Sequence, residues 1–124
     1  MGEHRKYIRQ ILPFKEDFKK FKKTLSRDVL MKIYYVFMYI MTNENIPAKF
    51  LKSIEGVNDL YEIRVEVKSN IYRIFCCFDE DNLVILFNAF QKKTQKTPTS
   101  EIERAKKIKD EYFTAKRILN QQIH

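Results

Sequence analysis

The second half of the chain carries three consecutive strand-like patterns. Residues 60–67 alternate between apolar and polar side chains, which predicts a half-buried strand with Arg64 on its polar face. Residues 71–78 are apolar on both faces apart from Arg73. Residues 83–90 form the most apolar run in the chain and predict a central strand that is buried on both faces. Short polar turns separate the three, so the pattern predicts an antiparallel β-meander.

Helical patterns lie on either side of this meander. Pro13 suits the first turn of a helix, and Ser26 suits the cap of a second helix with a broad apolar face. The first helix is predicted from an apolar stripe at helical spacing: Phe14, Phe18, Phe21 and Leu25. A Ser-x-x-Glu capping box at Ser100 and Glu103 opens a basic C-terminal helix. Residues 7–12 are a weaker strand candidate.

These elements predict a single α+β domain spanning residues 1–124. The first two helices form a hairpin that covers one face of the sheet. The C-terminal helix either packs on the sheet or extends to grip a partner. The 124 residues fit one modest core, and 2 Gly and 3 Pro leave little room for a flexible linker.

The charge balance favours a polyanionic partner. The chain has 24 Lys and Arg against 16 Asp and Glu, a net charge of +8, so nucleic acid, a membrane surface or an acidic protein are candidate partners. The alternative is that the positive charge serves solubility alone. The lysines of the first helix are correspondingly either solvated or in contact with RNA.

The longest apolar stretch, residues 33–41, is too short to span a bilayer. We expect a soluble, cytoplasmic protein that does not bind a membrane.

The two cysteines are neighbours on a predicted strand. Cys76 and Cys77 then point to opposite faces and make a poor disulfide pair, so we expect buried thiols in a reducing compartment. With no further cysteine, a zinc site is not expected. Neither a metal nor a cofactor is therefore part of the predicted function.

The residues with the clearest potential for a functional site directly follow the central strand. The chain passes there into a segment with lysines and small polar side chains: Gln91, Lys92, Lys93, Thr94 and Lys96. Arg64 and Arg73 come from the neighbouring strands. An even-length turn around Ser69 and Asn70 places both arginines on one face, with Glu66 opposite Arg73 as an ion-pair partner. An odd-length turn separates them.

A concave cationic site of this kind binds a phosphodiester and stabilises the charge that builds on phosphorus. RNA carries its own nucleophile, the 2′-hydroxyl. Cleavage then needs neither a nucleophilic side chain nor a metal, but it needs a proton acceptor and a proton donor. The two histidines lie at positions 4 and 124, which disfavours a two-histidine ribonuclease. A lysine among like charges has its ammonium form disfavoured and suits the role of base.

The order and spacing of residues 60–107 resemble the HigB-like, phage-derived branch of the RelE/ParE superfamily of type II toxin–antitoxin toxins. The resemblance rests on the motifs Leu-Tyr-Glu-Ile-Arg, Tyr-Arg-Ile-Phe, Phe-Gln-Lys-Lys-Thr-Gln-Lys-Thr-Pro and Glu-Ile-Glu-Arg-Ala-Lys, in that order. It implies a small RelE-like α+β domain with a helix pair on a curved antiparallel sheet. It departs from RelE itself at Glu62, where RelE has a lysine. The catalytic tyrosine near the RelE C-terminus has no clear counterpart here, and Tyr112 is a weak candidate for it.

The resemblance further implies a ribosome-dependent mRNA endoribonuclease that inhibits translation and is held inactive by a helix-turn-helix, HigA-like antitoxin. Its partners are then the ribosome, mRNA and that antitoxin. The implied catalytic residues are Arg64, Arg73, Lys92 and Lys93, and the implied RNA-binding residues are Gln91, Thr94 and Lys96. The alternatives are a ParE-like gyrase inhibitor, which uses no RNA-cleaving site, and a basic RNA- or ribosome-binding domain without catalysis.

Overall fold

A five-stranded sheet with helices on both faces forms the framework of the protein, seen in a computed structural model that describes residues 6–92 and 98–123. The spatial order of the strands is β1-β5-β4-β3-β2. The strands are β1 (Gln10–Pro13), β2 (Leu51–Ser53), β3 (Tyr61–Val67), β4 (Asn70–Asp79) and β5 (Leu83–Lys92). The helices are α1 (Asp17–Lys22), α2 (Arg27–Thr42) and α3 (Thr99–Ile123). The predicted α+β class is confirmed.

The predicted meander is β3, β4 and β5, and its strands pair antiparallel as expected. Two short strands extend it. β2 adds an antiparallel edge beside β3, and β1 adds a parallel edge beside β5, so the sheet is mixed. Pro13 was predicted to open a helix but lies in β1, opposite Leu86. An edge strand tolerates it because its missing N–H is not needed by a second neighbour.

Alternation along the strands divides the apolar side chains into two cores. One lies under α1 and α2, with Ile33 and Ile74 among its buried residues. The other lies under α3, with Phe75 and Phe87 among its buried residues. The helical hairpin therefore covers one face, as predicted, and α3 packs on the other rather than extending away.

The adjacent cysteines follow the same alternation. Cys76 belongs to the core under α1 and α2, and Cys77 to the core under α3. Both are free and buried, as predicted. Burial raises the pKa of both thiols, that of Cys77 to about 12. A thiol held in its neutral form is a poor nucleophile, so these residues act as small apolar side chains.

Helix α1 is shorter than its apolar pattern suggests, whereas α2 has the predicted extent. Phe18 is buried in α1, but Phe14 precedes the helix and packs instead against Tyr112 of α3, with ring centroids 5.2 Å apart. The predicted stripe is thus split between the two cores. At the start of α2, the Ser26 hydroxyl accepts a hydrogen bond from the Val29 N–H at 3.4 Å, which confirms the predicted cap.

Helix α3 is fixed to the sheet at its distal half. The Asp79 carboxylate, at the end of β4, accepts hydrogen bonds from the Tyr112 hydroxyl at 2.5 Å and the Lys116 ammonium at 2.7 Å.

The helix begins at Thr99, so Ser100 lies inside its first turn and is not the cap that was predicted. No helix among the described residues is both long enough and apolar enough to cross a membrane.

Candidate nucleic-acid interface

The turn between β3 and β4 decides which side chains share a face. Val67 pairs with Asn70, so the turn has two residues, and the first of them, Lys68, has a positive φ of 57°. Of the two alternatives that the sequence left open, the even-length turn is the one present, and it lies one residue earlier than Ser69 and Asn70. Arg64 consequently stands directly opposite Arg73 on the same face of the sheet.

Four cations from four neighbouring strands lie on this face. Lys52 of β2 pairs with Glu62, two residues from Arg64 and therefore on the same side of β3. Lys92 of β5 pairs with Ile71, two residues from Arg73 and on the same side of β4. We call this set the cationic band; it consists of Lys52, Arg64, Arg73 and Lys92.

The cationic band continues the face that α3 covers. Further along the same strands, Phe75 and Phe87 are fully buried beneath that helix. In the band, Lys52 is exposed, whereas Arg64 and Lys92 are partly exposed. One sheet face thus provides a core at one end and a positively charged surface at the other.

A buried ion pair lies within the cationic band. The side chains of Arg73 and Glu62 are only 5% and 3% exposed, and an Arg73 Nη1–H donates to Glu62 Oε1. Glu62 lies diagonally across the strand pair from Arg73. The predicted partner Glu66 is wrong, because the shifted turn places Glu66 opposite Ile71.

This ion pair offsets an unfavourable arrangement. Like charges directly opposite each other on adjacent strands destabilise a sheet, and Arg64 faces Arg73 in that way. Burial first, and then the positive charge of Arg64, lower the pKa of Arg73, while Glu62 acts in the opposite direction. A pair of arginines that weakens the sheet indicates a requirement other than stability, such as the binding of an anion.

Lys92 is the member of the cationic band best suited to accept a proton. Burial lowers its pKa, and the charges of Arg73, Arg64 and Lys52 lower it further, against the opposing effect of Glu62. This direction agrees with the destabilisation expected for a lysine ammonium among like charges, and Lys92 as the base stays a prediction. A lowered pKa increases the fraction of neutral amine near neutral pH.

Other predicted site residues lie elsewhere. Gln91 pairs with Tyr72 on the opposite face, and its amide donates to the Asn70 side chain at 3.2 Å. As an RNA contact it stays a prediction, but it is not part of the cationic band. Tyr112 bonds to Asp79 at the far end of β4 and is no candidate for catalysis at the band. Three further predicted residues lie outside the described ranges: Lys93, Thr94 and Lys96.

Lys52 is the site residue that the sequence did not reveal. It lies in β2, which has only three residues, too few for an alternating pattern to be recognised. Glu62 was noticed only as a departure from RelE. Glu62 lies two residues before Arg64, and alternation along a strand places both on one face. That spacing was the sequence feature that could have identified Glu62 as part of the site.

The family of the protein follows from its sequence. The family model described as Phage derived protein Gp49-like (DUF891) matches residues 16–110. The chain belongs to this family. The Gp49-like match covers the whole cationic band, and it confirms the expected kinship with RelE-like toxins at the level of the superfamily. The HigB-like branch stays a prediction.

Two further comparisons were less informative. No curated protein matches the Gp49-like chain significantly. Among solved structures, the archaeal RelE–RelB complex from Pyrococcus horikoshii OT3 matches with a TM-score of 0.47 and 18% sequence identity, over 66% of this chain and 92% of that chain.

The ion pair predicts a specific pattern of stability. Arg73→Ala should lower the free energy of unfolding by about 3–5 kcal/mol, because it leaves the buried Glu62 carboxylate without its partner. Arg64→Ala, at a partly exposed position, should change it by less than about 1 kcal/mol. Urea unfolding measures both. The double variant Glu62→Leu/Arg73→Met should recover most of the loss, and a double variant as unstable as Arg73→Ala would contradict this account.

The cationic band also predicts how the pKa of Lys92 responds to its neighbours. Because Arg64 and Lys52 lower this pKa, either Arg64→Gln or Lys52→Gln should raise it. The pKa can be followed by NMR titration of the lysine side-chain carbons. The exposed Lys106→Gln serves as a charge-matched control and should leave it unchanged. An unchanged pKa in both band variants would show that Lys92 does not interact with these charges.

Proposed function

We propose that this Gp49-like protein is the toxin of a type II toxin–antitoxin system and acts as a ribosome-dependent mRNA endoribonuclease that inhibits translation. The observation that supports the proposal is the cationic band. It brings Arg64 and Arg73 face to face, beside a lysine with a lowered pKa. A folded domain gains no stability from that arrangement, whereas a phosphodiester would bind to it.

The proposed reaction uses the RNA's own 2′-hydroxyl as nucleophile. The 2′-oxygen attacks phosphorus and the bond to the 5′-oxygen breaks, which leaves a cyclic phosphate and a free 5′-hydroxyl. In its neutral form Lys92 accepts the proton of the attacking hydroxyl. The guanidinium of Arg64 donates hydrogen bonds to the non-bridging oxygens as negative charge develops on them. The leaving oxygen takes a proton from water or from a lysine ammonium.

Arg73 has a different role in this proposal. Its guanidinium is buried and held by Glu62, so it acts as a fixed positive charge below the bound phosphate rather than as its first contact. A charge in a poorly solvated position acts more strongly over a given distance than one in water. The charge of Arg73 would then add to the positive electrostatic potential around Arg64 and Lys92, with or without bound RNA.

The proposed partners follow from the same role. A helix-turn-helix, HigA-like antitoxin would hold the toxin inactive in the cytoplasm, and the ribosome would present the mRNA. A net charge of +8 favours association with ribosomal RNA as well as with the message. The ParE-like alternative is less favoured, because gyrase inhibition requires no convergent phosphate site.

A second candidate function is RNA or ribosome binding without cleavage. The observation that favours it is the burial of Arg73, whose guanidinium is paired with Glu62 and kept from direct contact with a ligand. The two candidates share the cationic band and differ in whether Lys92 transfers a proton. They are therefore separated by a cleavage assay and not by a binding assay.

The cleavage assay is primer extension on a defined mRNA in a reconstituted translation reaction, with and without ribosomes. The wild-type protein should produce cuts within codons only when ribosomes are present. Lys92→Ala should reduce the cleavage rate by about 10²-fold or more, because general-base catalysis contributes on that order. Arg64→Ala should cause a comparable loss. Lys106→Ala, with the same change in net charge, should cleave normally.

Two results would decide against the endoribonuclease. Intact mRNA from folded wild-type protein that still co-sediments with ribosomes would favour the binding-only function. Equal cleavage by the wild-type protein and Lys92→Ala would remove Lys92 from the proposed mechanism.

A further inference from the structure

A cavity of about 450 Å³ adjoins the cationic band at Arg64. It lies where the sheet edge meets helix α2. It is lined by Lys32 and Tyr35 of α2, by Lys49 and Phe50 before β2, and by residues of β3 and β4: Arg64, Glu66 and Ile71. Glu66 is the one acidic residue in this lining, against three cations. Its size falls within the ordinary range for small-ligand sites.

The cavity exists because β2 is short. The pairing of β2 with β3 ends at Leu51, the first residue of β2, which lies opposite Ile63. Next to this pair, the Arg64 N–H donates a hydrogen bond to the Phe50 carbonyl at 2.8 Å. Beyond that bond, β3 is the edge of the sheet. Arg64 therefore stands at a corner, between the cationic band on the sheet face and the cavity around the edge.

Aromatic rings and cations alternate in the cavity wall. Tyr35 is 57% exposed, and its ring meets the ring of Phe50 edge to face at 6.3 Å between centroids. The Lys32 ammonium lies 5.0 Å from the centroid of Tyr35, and the Lys49 ammonium lies 5.1 Å from that of Phe50. Phe50 is buried, so Tyr35 is the ring of this wall that a ligand can reach. An exposed aromatic ring among cations suits single-stranded nucleic acid, since bases stack on the ring and phosphates pair with the charges.

We propose that this cavity is a subsite for one unpaired nucleotide, next to the phosphate bound at Arg64. The base stacks on Tyr35, and Lys32 and Lys49 bind the flanking phosphates. This rests on the proposed function only in taking RNA as the ligand of the cationic band. It adds the position of the neighbouring base, outside the strand residues implied by the family resemblance.

Helix α2 offers a matched control for Tyr35. The preceding residue, Tyr34, is 49% exposed and is also a tyrosine in contact with a phenylalanine, Phe37. It lines a separate groove beside α1 and not the cavity next to Arg64. Replacing either tyrosine removes the same side chain from the same helix.

The test measures binding rather than cleavage. Fluorescence anisotropy at low salt follows a labelled single-stranded RNA that is 2′-O-methylated and so cannot be cleaved. Tyr35→Ala should weaken binding at least about fivefold, because loss of a stacking aromatic costs that much per base. Tyr35→Phe should bind like the wild-type protein, and Tyr34→Ala should as well.

An abasic oligonucleotide separates stacking from a general disturbance of the site. It carries the same phosphates but no bases, so the wild-type protein and Tyr35→Ala should bind it equally. Lys32→Gln and Lys49→Gln should instead lower the slope of log affinity against log salt by roughly 0.7 each, since each removes one phosphate contact to a single strand.

Equal RNA binding by Tyr35→Ala and Tyr34→Ala would overturn the subsite, as would a loss by Tyr35→Ala that also affects the abasic chain. Wild-type protein that binds no oligonucleotide at low salt would overturn it too. If the wild-type protein binds RNA through Tyr35 but cuts no mRNA on ribosomes, the subsite stands and the endoribonuclease fails.

Discussion

The buried ion pair between Arg73 and Glu62 is the interaction on which the candidate site depends. Two arginines face each other across β3 and β4, and one of them is removed from water. Without a carboxylate next to it, a buried guanidinium would be strongly destabilising. Glu62 offsets that cost and leaves the charge of Arg64 free at the surface. It also stands opposite Lys52, so it connects the centre of the cationic band to its edge.

Much of this arrangement follows from period-two alternation. It predicted the three-stranded meander and the opposite faces of Cys76 and Cys77. It placed Arg64 and Arg73 on a shared face only for an even-length turn, and left the odd-length turn open. Which residues of β3 and β4 stand opposite each other depends on the position of the turn between the two strands. Lys68 adopts a left-handed conformation, and a lysine gives no sequence signal for that, so the turn was placed one residue too late. The predicted partner of Arg73 was consequently Glu66, and Glu62 was not considered in that role.

The remaining differences come from short elements. β1 and β2 have four and three residues, and each is held by hydrogen bonds to a longer neighbour rather than by its own pattern. Pro13 and Lys52 were therefore missed as strand residues. The cavity at Tyr35 depends on the end of β2 and on the approach of α2 to the sheet edge, which are tertiary features. The sequence predicts only a broad apolar face on the helix that contains Tyr35.

RNA binding by the cationic band can be tested by NMR titration of the ¹⁵N-labelled protein with a 2′-O-methylated single-stranded RNA. If the band binds RNA, the largest amide and side-chain shifts fall on Lys52, Arg64 and Lys92. The lysines of α1, such as Lys19 and Lys20, should then show only small shifts. Shifts confined to α1, with the band unaffected, would contradict binding by the band and would make the lysine face of that helix the site of RNA contact.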